Sequence, residues 1–119
     1  KGRKMKIGFD FDSTLATHRI QRVASRFVDD GHEVWIVTTR TETPSLTVGW
    51  NNDRLFKIAE TLQIPKERII FTEGRDKHTF LKGFDMFFDD CEVEVDLIEE
   101  NVLECAPILI TPPRYLGEN

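Results

Sequence analysis

A chain of 119 residues, 39% hydrophobic and with nine Phe, has enough apolar material for one buried core and too little length for a second domain, so 1–119 reads as one domain. Charged residues make up 31% with a net charge of −5: residues 85–104 hold nine carboxylates and no Lys or Arg, while the basic cluster is confined to Lys1, Arg3, Lys4 and Lys6, which excludes a broad basic face for nucleic acid. The longest apolar runs, 34–37 and 107–110, exclude a bilayer-spanning helix, no secretory leader pattern is present, and the spacing of Cys91 and Cys105 fits neither a disulfide framework nor a cysteine zinc site; two reduced thiols in a cytoplasmic protein are expected.

Residues 5–9 (MKIGF) predict a buried strand ending at Asp10, so residues 1–4 read as an extension or tag remnant. After the polar loop DSTLAT, the residues Ile20, Val23, Ala24, Phe27 and Val28 recur at the spacing of one helix face. Thr17 is the expected N-cap of that helix and Gly31 its stop, with Asp29 and Asp30 as surface turn residues. The segment 33–38 (EVWIVT) predicts a second strand, covered on both faces. A loop over 39–50 leads to a helix over 51–63 with Leu55, Ile58, Ala59 and Leu62 on one side. Strands over 68–72 and 84–88, a short helix over 76–82 between them, a helix over 91–100 and a strand over 105–110 complete the series, followed by the tail TPPRYLGEN. This alternation predicts an α/β fold, a parallel sheet with helices on both faces and right-handed crossovers.

In such a sheet ligands bind beyond the carboxyl ends of the strands. Asp10 and Asp12 follow the first strand, Thr38 ends the second, Lys77 follows the third, and Asp89 and Asp90 end the fourth. Four carboxylates brought together repel one another unless a cation is present, and an all-oxygen carboxylate set suits Mg²⁺. A carboxylate can attack phosphorus to form an aspartyl-phosphate. A second one, two residues on, can protonate the leaving oxygen and later activate water. Lys77 and the Thr38 hydroxyl can neutralise and hold phosphate oxygens. Lys82 competes with Lys77 but lies only seven residues before Asp89, too close for the chain to turn and form the strand. The three His (His18, His32, His78) lack ligand spacing and read as solvated or capping residues; Trp35 reads as core, and Trp50 as core or as lining for the site entrance.

These segments resemble the motifs of the haloacid dehalogenase (HAD) superfamily. DFDST (10–14) is similar to its DxDx(T/V) motif, IVT (36–38) to its second, Lys77 to its third and FFDD (87–90) to its fourth, in the family's order. The resemblance implies a three-layer α/β/α sandwich with a five-stranded parallel sheet of order 3-2-1-4-5. It implies Asp10 as nucleophile and Mg²⁺ ligand, and Asp12 as general acid/base with its backbone carbonyl on the metal. Thr38 and Lys77 would bind the transferring phosphoryl group, Asp89 would complete the metal site, and Asp90 would either ligate the metal or support the ligands from behind. Thr39 is the alternative to Thr38, and Arg40 reads equally as a contact to substrate phosphate, as an Arg makes in polynucleotide-kinase-type phosphatase domains, or as a surface arginine. Ser13 stands where Gly is commoner in the motif.

The resemblance therefore implies a Mg²⁺-dependent phosphomonoesterase acting on a phosphorylated substrate. Only 25 residues separate Asp12 from Thr38 and 38 separate Thr38 from Lys77, so neither interval holds a cap domain. An open site of this kind suits large substrates or roofing by a neighbouring subunit of a homo-oligomer. A nucleotide or polynucleotide-end phosphatase is a narrower reading within the class. A non-catalytic phosphate- or partner-binding domain is the alternative outside it, but a binder has no need of Asp12. A signalling receiver domain carries similar residue types in a different order.

Overall fold

The computed structural model describes residues 2–111 and contains a five-stranded, all-parallel sheet flanked by helices. The strands are β1 (Lys6–Phe9), β2 (Glu33–Thr38), β3 (Ile69–Phe71), β4 (Met86–Asp89) and β5 (Ala106–Leu109), ordered β3-β2-β1-β4-β5. The helices are α1 (His18–Asp29), α2 (Asp53–Thr61) and α3 (Glu92–Asn101). This is the expected α/β sandwich and strand order. The C-terminal tail beyond Thr111 and residue Lys1 lie outside the described residues. Among the described residues, no helix is long and apolar enough to cross a membrane.

Alternation along the strands sends side chains to two cores. Ile7, Phe9, Val34, Ile36 and Phe88 pack with Ile20 and Ala24 of α1 and Leu55 and Ala59 of α2. Phe9 and Phe88 stack with ring centroids 4.7 Å apart, tying the two central strands together. On the opposite face Val37 and Phe87 pack with Leu81, Phe84 and Ile98 of α3. Gly8 points to this second core, where a Cβ would lie 2.7 Å from Phe87 Cδ1 and 3.0 Å from Phe84 Cε2. Only a glycine lets those two rings close over β1.

Local chemistry sets the helix ends. The Thr17 hydroxyl accepts from Ile20 N–H at 3.4 Å as the N-cap of α1. At the other end Gly31, with φ +88°, takes the left-handed conformation that stops the helix, and His32 N–H returns to Phe27 O. Asp29 and Asp30 are exposed there, as expected of turn residues. His32 is a structural partner: its Nδ1 accepts from Met5 N–H at 3.0 Å.

Three expectations need correction. The helix over 76–82 is only a 3-10 turn, Lys77–Phe80. The segment has no helical apolar stripe; Leu81 at its end and Phe84 just beyond it are buried by an irregular path that turns at Gly83, φ +90°. Trp50 is not core: the residue is 43% exposed, and its ring lies next to Arg40. Helix α2 begins at Asp53 rather than 51 because Asn52 spends its side chain on the preceding loop.

Candidate active site

The carboxyl edge of the central strands gathers the acids. Asp10 directly follows β1, and its N–H donates to Phe88 O at 2.9 Å, which brings it beside the end of β4. Asp89 closes β4 and is fully buried; its Oδ1 accepts from Cys91 N–H at 3.0 Å as the chain turns into α3. Asp90 follows. Carboxylate oxygens of Asp10, Asp89 and Asp90 all lie within 4.8 Å of one another, close enough to hold a metal ion.

Lys77 enters this group from the 3-10 turn. Its ammonium donates to Asp10 Oδ1 at 2.7 Å and to Asp89 Oδ2 at 2.8 Å, and all three side chains are buried. Lys82, the competing lysine, is exposed. An ammonium carries three protons, so one remains for a ligand. Thr14, buried four residues after Asp10, donates its hydroxyl proton toward Asp10 Oδ2 at 3.2 Å and Asp90 Oδ1 at 3.3 Å.

Burial dominates the electrostatics. It pushes the Asp10 carboxyl up to about 8 in the absence of a cation, against the pull of Lys77 and with the help of the Asp89 charge. Asp89 is raised for the same reason. Burial alone would lower Lys77, but Asp10 and Asp89 outweigh it and hold the ammonium above its ordinary value. Three acids face one buried cation, and an added cation would relieve that imbalance. The donor set is all oxygen, which fits a hard divalent ion better than a thiophilic one.

The remaining expected residues form the rim. Thr38, at the end of β2, is buried, and its Oγ1 accepts from Arg40 N–H at 3.2 Å, leaving its own proton to donate. Thr39 is exposed, and its carbonyl accepts from Gly74 N–H at 2.9 Å, which ties the loops after β2 and β3 together. The Asp12 side chain is outside the acid cluster. It is 58% exposed and paired with Arg40 at 2.8 Å. Ser13 beside it has φ +62°, which explains why glycine suits this position in such a turn.

Two residues of this site escaped the sequence reading. Thr14 carried a signal, since it lies within the same tight turn as Asp10. Asn52 carried none, because an Asn at a helix start reads as a cap. Neither a family model nor a curated protein matches this chain.

Proposed function

We propose that the protein is a Mg²⁺-dependent phosphomonoesterase that works through an aspartyl-phosphate on Asp10. One observation carries this reading: Asp10, Asp89, Asp90 and Lys77 converge at the carboxyl edge of strands β1 and β4, with Asp10 buried and bridged to Asp89 by the lysine ammonium. The ordered resemblance of 10–14, 36–38, Lys77 and 87–90 to the HAD motifs supports it as well. The two free thiols are in keeping with a cytoplasmic setting.

Asp10, Asp89 and Asp90 would hold Mg²⁺, and the resemblance adds the Asp12 backbone carbonyl. When bound, the ion supplies positive charge that keeps Asp10 ionised and offsets the charge of the phosphate oxygens. An Asp10 carboxylate oxygen forms a bond to phosphorus as the bond from phosphorus to the leaving oxygen breaks. Asp12 gives its proton to that oxygen. Water then attacks the phosphorus of the aspartyl-phosphate, Asp12 takes up the water proton, and the acyl–phosphate bond breaks to return Asp10 and inorganic phosphate. The third Lys77 N–H and the Thr38 O–H hold non-bridging phosphate oxygens through both steps.

The test is hydrolysis of p-nitrophenyl phosphate with and without Mg²⁺ by the wild type and Asp10→Asn. Turnover that needs Mg²⁺ and is lost in the variant is expected. No turnover, together with no Mg²⁺-dependent binding of beryllium fluoride, contradicts the reading and favours a binding domain.

A further inference from the structure

Arg40 binds on four sides at once. Its Nε donates to Asp12 Oδ2 at 3.1 Å and its Nη2 to Asp12 Oδ1 at 2.8 Å, a two-pronged pairing that only a guanidinium makes. Its Nη1 donates to Asn51 O at 3.1 Å and to Asn52 Oδ1 at 3.0 Å. Its plane lies near the rings of Phe11 and Trp50, at 5.1 and 5.4 Å from their centroids.

Asn52 extends the network. It is buried, and its Nδ2 donates to the carbonyls of Thr41 and Glu42, both at 2.9 Å. The two ends of the 41–52 segment are thereby tied at Asn52, and Asn52 is tied through Arg40 to Asp12. Among the described residues, Arg40 supplies the only hydrogen bonds to the Asp12 carboxylate.

We propose that Arg40 is a positioning residue that makes the 41–52 segment and the Asp12 side chain one mechanical unit, so that the seating of this loop sets where Asp12 stands. The inference rests on the phosphomonoesterase reading, in which Asp12 moves the proton. It assigns Arg40 a role through Asp12 rather than through substrate.

A leaving-group series separates the two roles. In the leaving-group step, which kcat/KM reports, an ester whose leaving group needs a proton, such as phenyl phosphate, depends on Asp12, whereas 2,4-dinitrophenyl phosphate scarcely does. Arg40→Ala should lower kcat/KM on phenyl phosphate by about 10- to 100-fold, part of the range of a general acid, with little change in kcat/KM on 2,4-dinitrophenyl phosphate. Any slowing of the second step, where Asp12 takes the water proton, falls on both esters alike and does not enter kcat/KM. Arg40→Lys, which keeps the charge but not the fork, should behave similarly and covers the case in which the alanine variant fails to fold. Adding Arg40→Ala to Asp12→Asn should cost nothing further. Independently of turnover, limited proteolysis should cut within 41–51 faster in both Arg40 variants. Equal losses of kcat/KM on both esters, or a raised KM with kcat intact, would assign Arg40 to substrate and overturn the proposal. Active Arg40 variants identical to wild type overturn it alone. A wild type without Mg²⁺-dependent turnover on either ester overturns the phosphomonoesterase reading and this inference with it.

Discussion

The Lys77 ammonium lies 2.7 Å from Asp10 Oδ1 and 2.8 Å from Asp89 Oδ2, bridging the ends of two adjacent parallel strands with one buried charge. A buried cation between two acids makes each member costly to remove alone. Lys77→Met leaves Asp10 and Asp89 facing each other without compensation. The variant should lose about 3 kcal/mol of stability at pH 9 in chelator. The loss should be smaller at pH 6, where both carboxyls can take up protons. Urea unfolding at the two pH values checks this, and an equal loss at both would mean that packing, not charge, dominates.

Asp10 itself should destabilise the metal-free protein in alkali. Burial raises its carboxyl to about 8 from an unfolded value near 3.8. Between those values the folded state binds the extra proton, so this group's contribution to stability falls as pH rises. Asp10→Asn removes the titration. In chelator, the Tm of Asp10→Asn relative to wild type should therefore climb from pH 5 to pH 9, by several degrees for each kcal/mol relieved (roughly 4–8 °C for a small domain). A constant difference across that range contradicts the burial argument.

Metal binding should release a proton, because a carboxyl that is protonated near neutrality must ionise to act as a ligand. Apparent Mg²⁺ affinity should rise with pH and level off above about 8. Calorimetry at pH 7 in two buffers of different ionisation enthalpy measures the released proton directly. Mg²⁺ should also raise the wild-type Tm and leave that of Asp10→Asn nearly unchanged.

Gly8→Ala tests the second core. Its Cβ would fall 2.7 Å from a ring carbon of Phe87, which is itself completely buried. The ring has nowhere to go, so a loss of about 1–3 kcal/mol is expected from thermal or urea unfolding. Phe87→Leu in the same background should recover part of it. Gly31→Ala is a useful contrast, since open space surrounds that position and its cost comes from φ +88° alone.

Much of the fold was legible because parallel strands buried on both faces read as short apolar runs, and each of the first, second and fourth ends in a polar residue at the same sheet edge. The i, i+3, i+4 stripe of α1 and the Thr17 and Gly31 signals marked that helix at both ends. The 76–82 segment misled because its length suits a helix, whereas Leu81 and Phe84 are held by tertiary packing along an irregular path. At the site, Asp10, Lys77, Asp89 and Asp90 could be brought together from the strand order that the motif resemblance implies. The pairing of Arg40 with Asp12, the buried role of Asn52 and the exposure of Trp50 depend on the course of the 41–52 loop, which carries no periodic signal.

The most direct test of the central claim is to trap the covalent intermediate. The protein is mixed with a phosphomonoester and Mg²⁺, quenched in acid within milliseconds to seconds, and digested under acidic conditions for peptide mass mapping. The account predicts one added phosphoryl group on the peptide containing Asp10, sensitive to hydroxylamine as an acyl phosphate is, and absent from Asp10→Asn. Mg²⁺-dependent turnover with the label on another residue, or with none captured when Asp12→Asn slows the second step, would contradict Asp10 as the nucleophile.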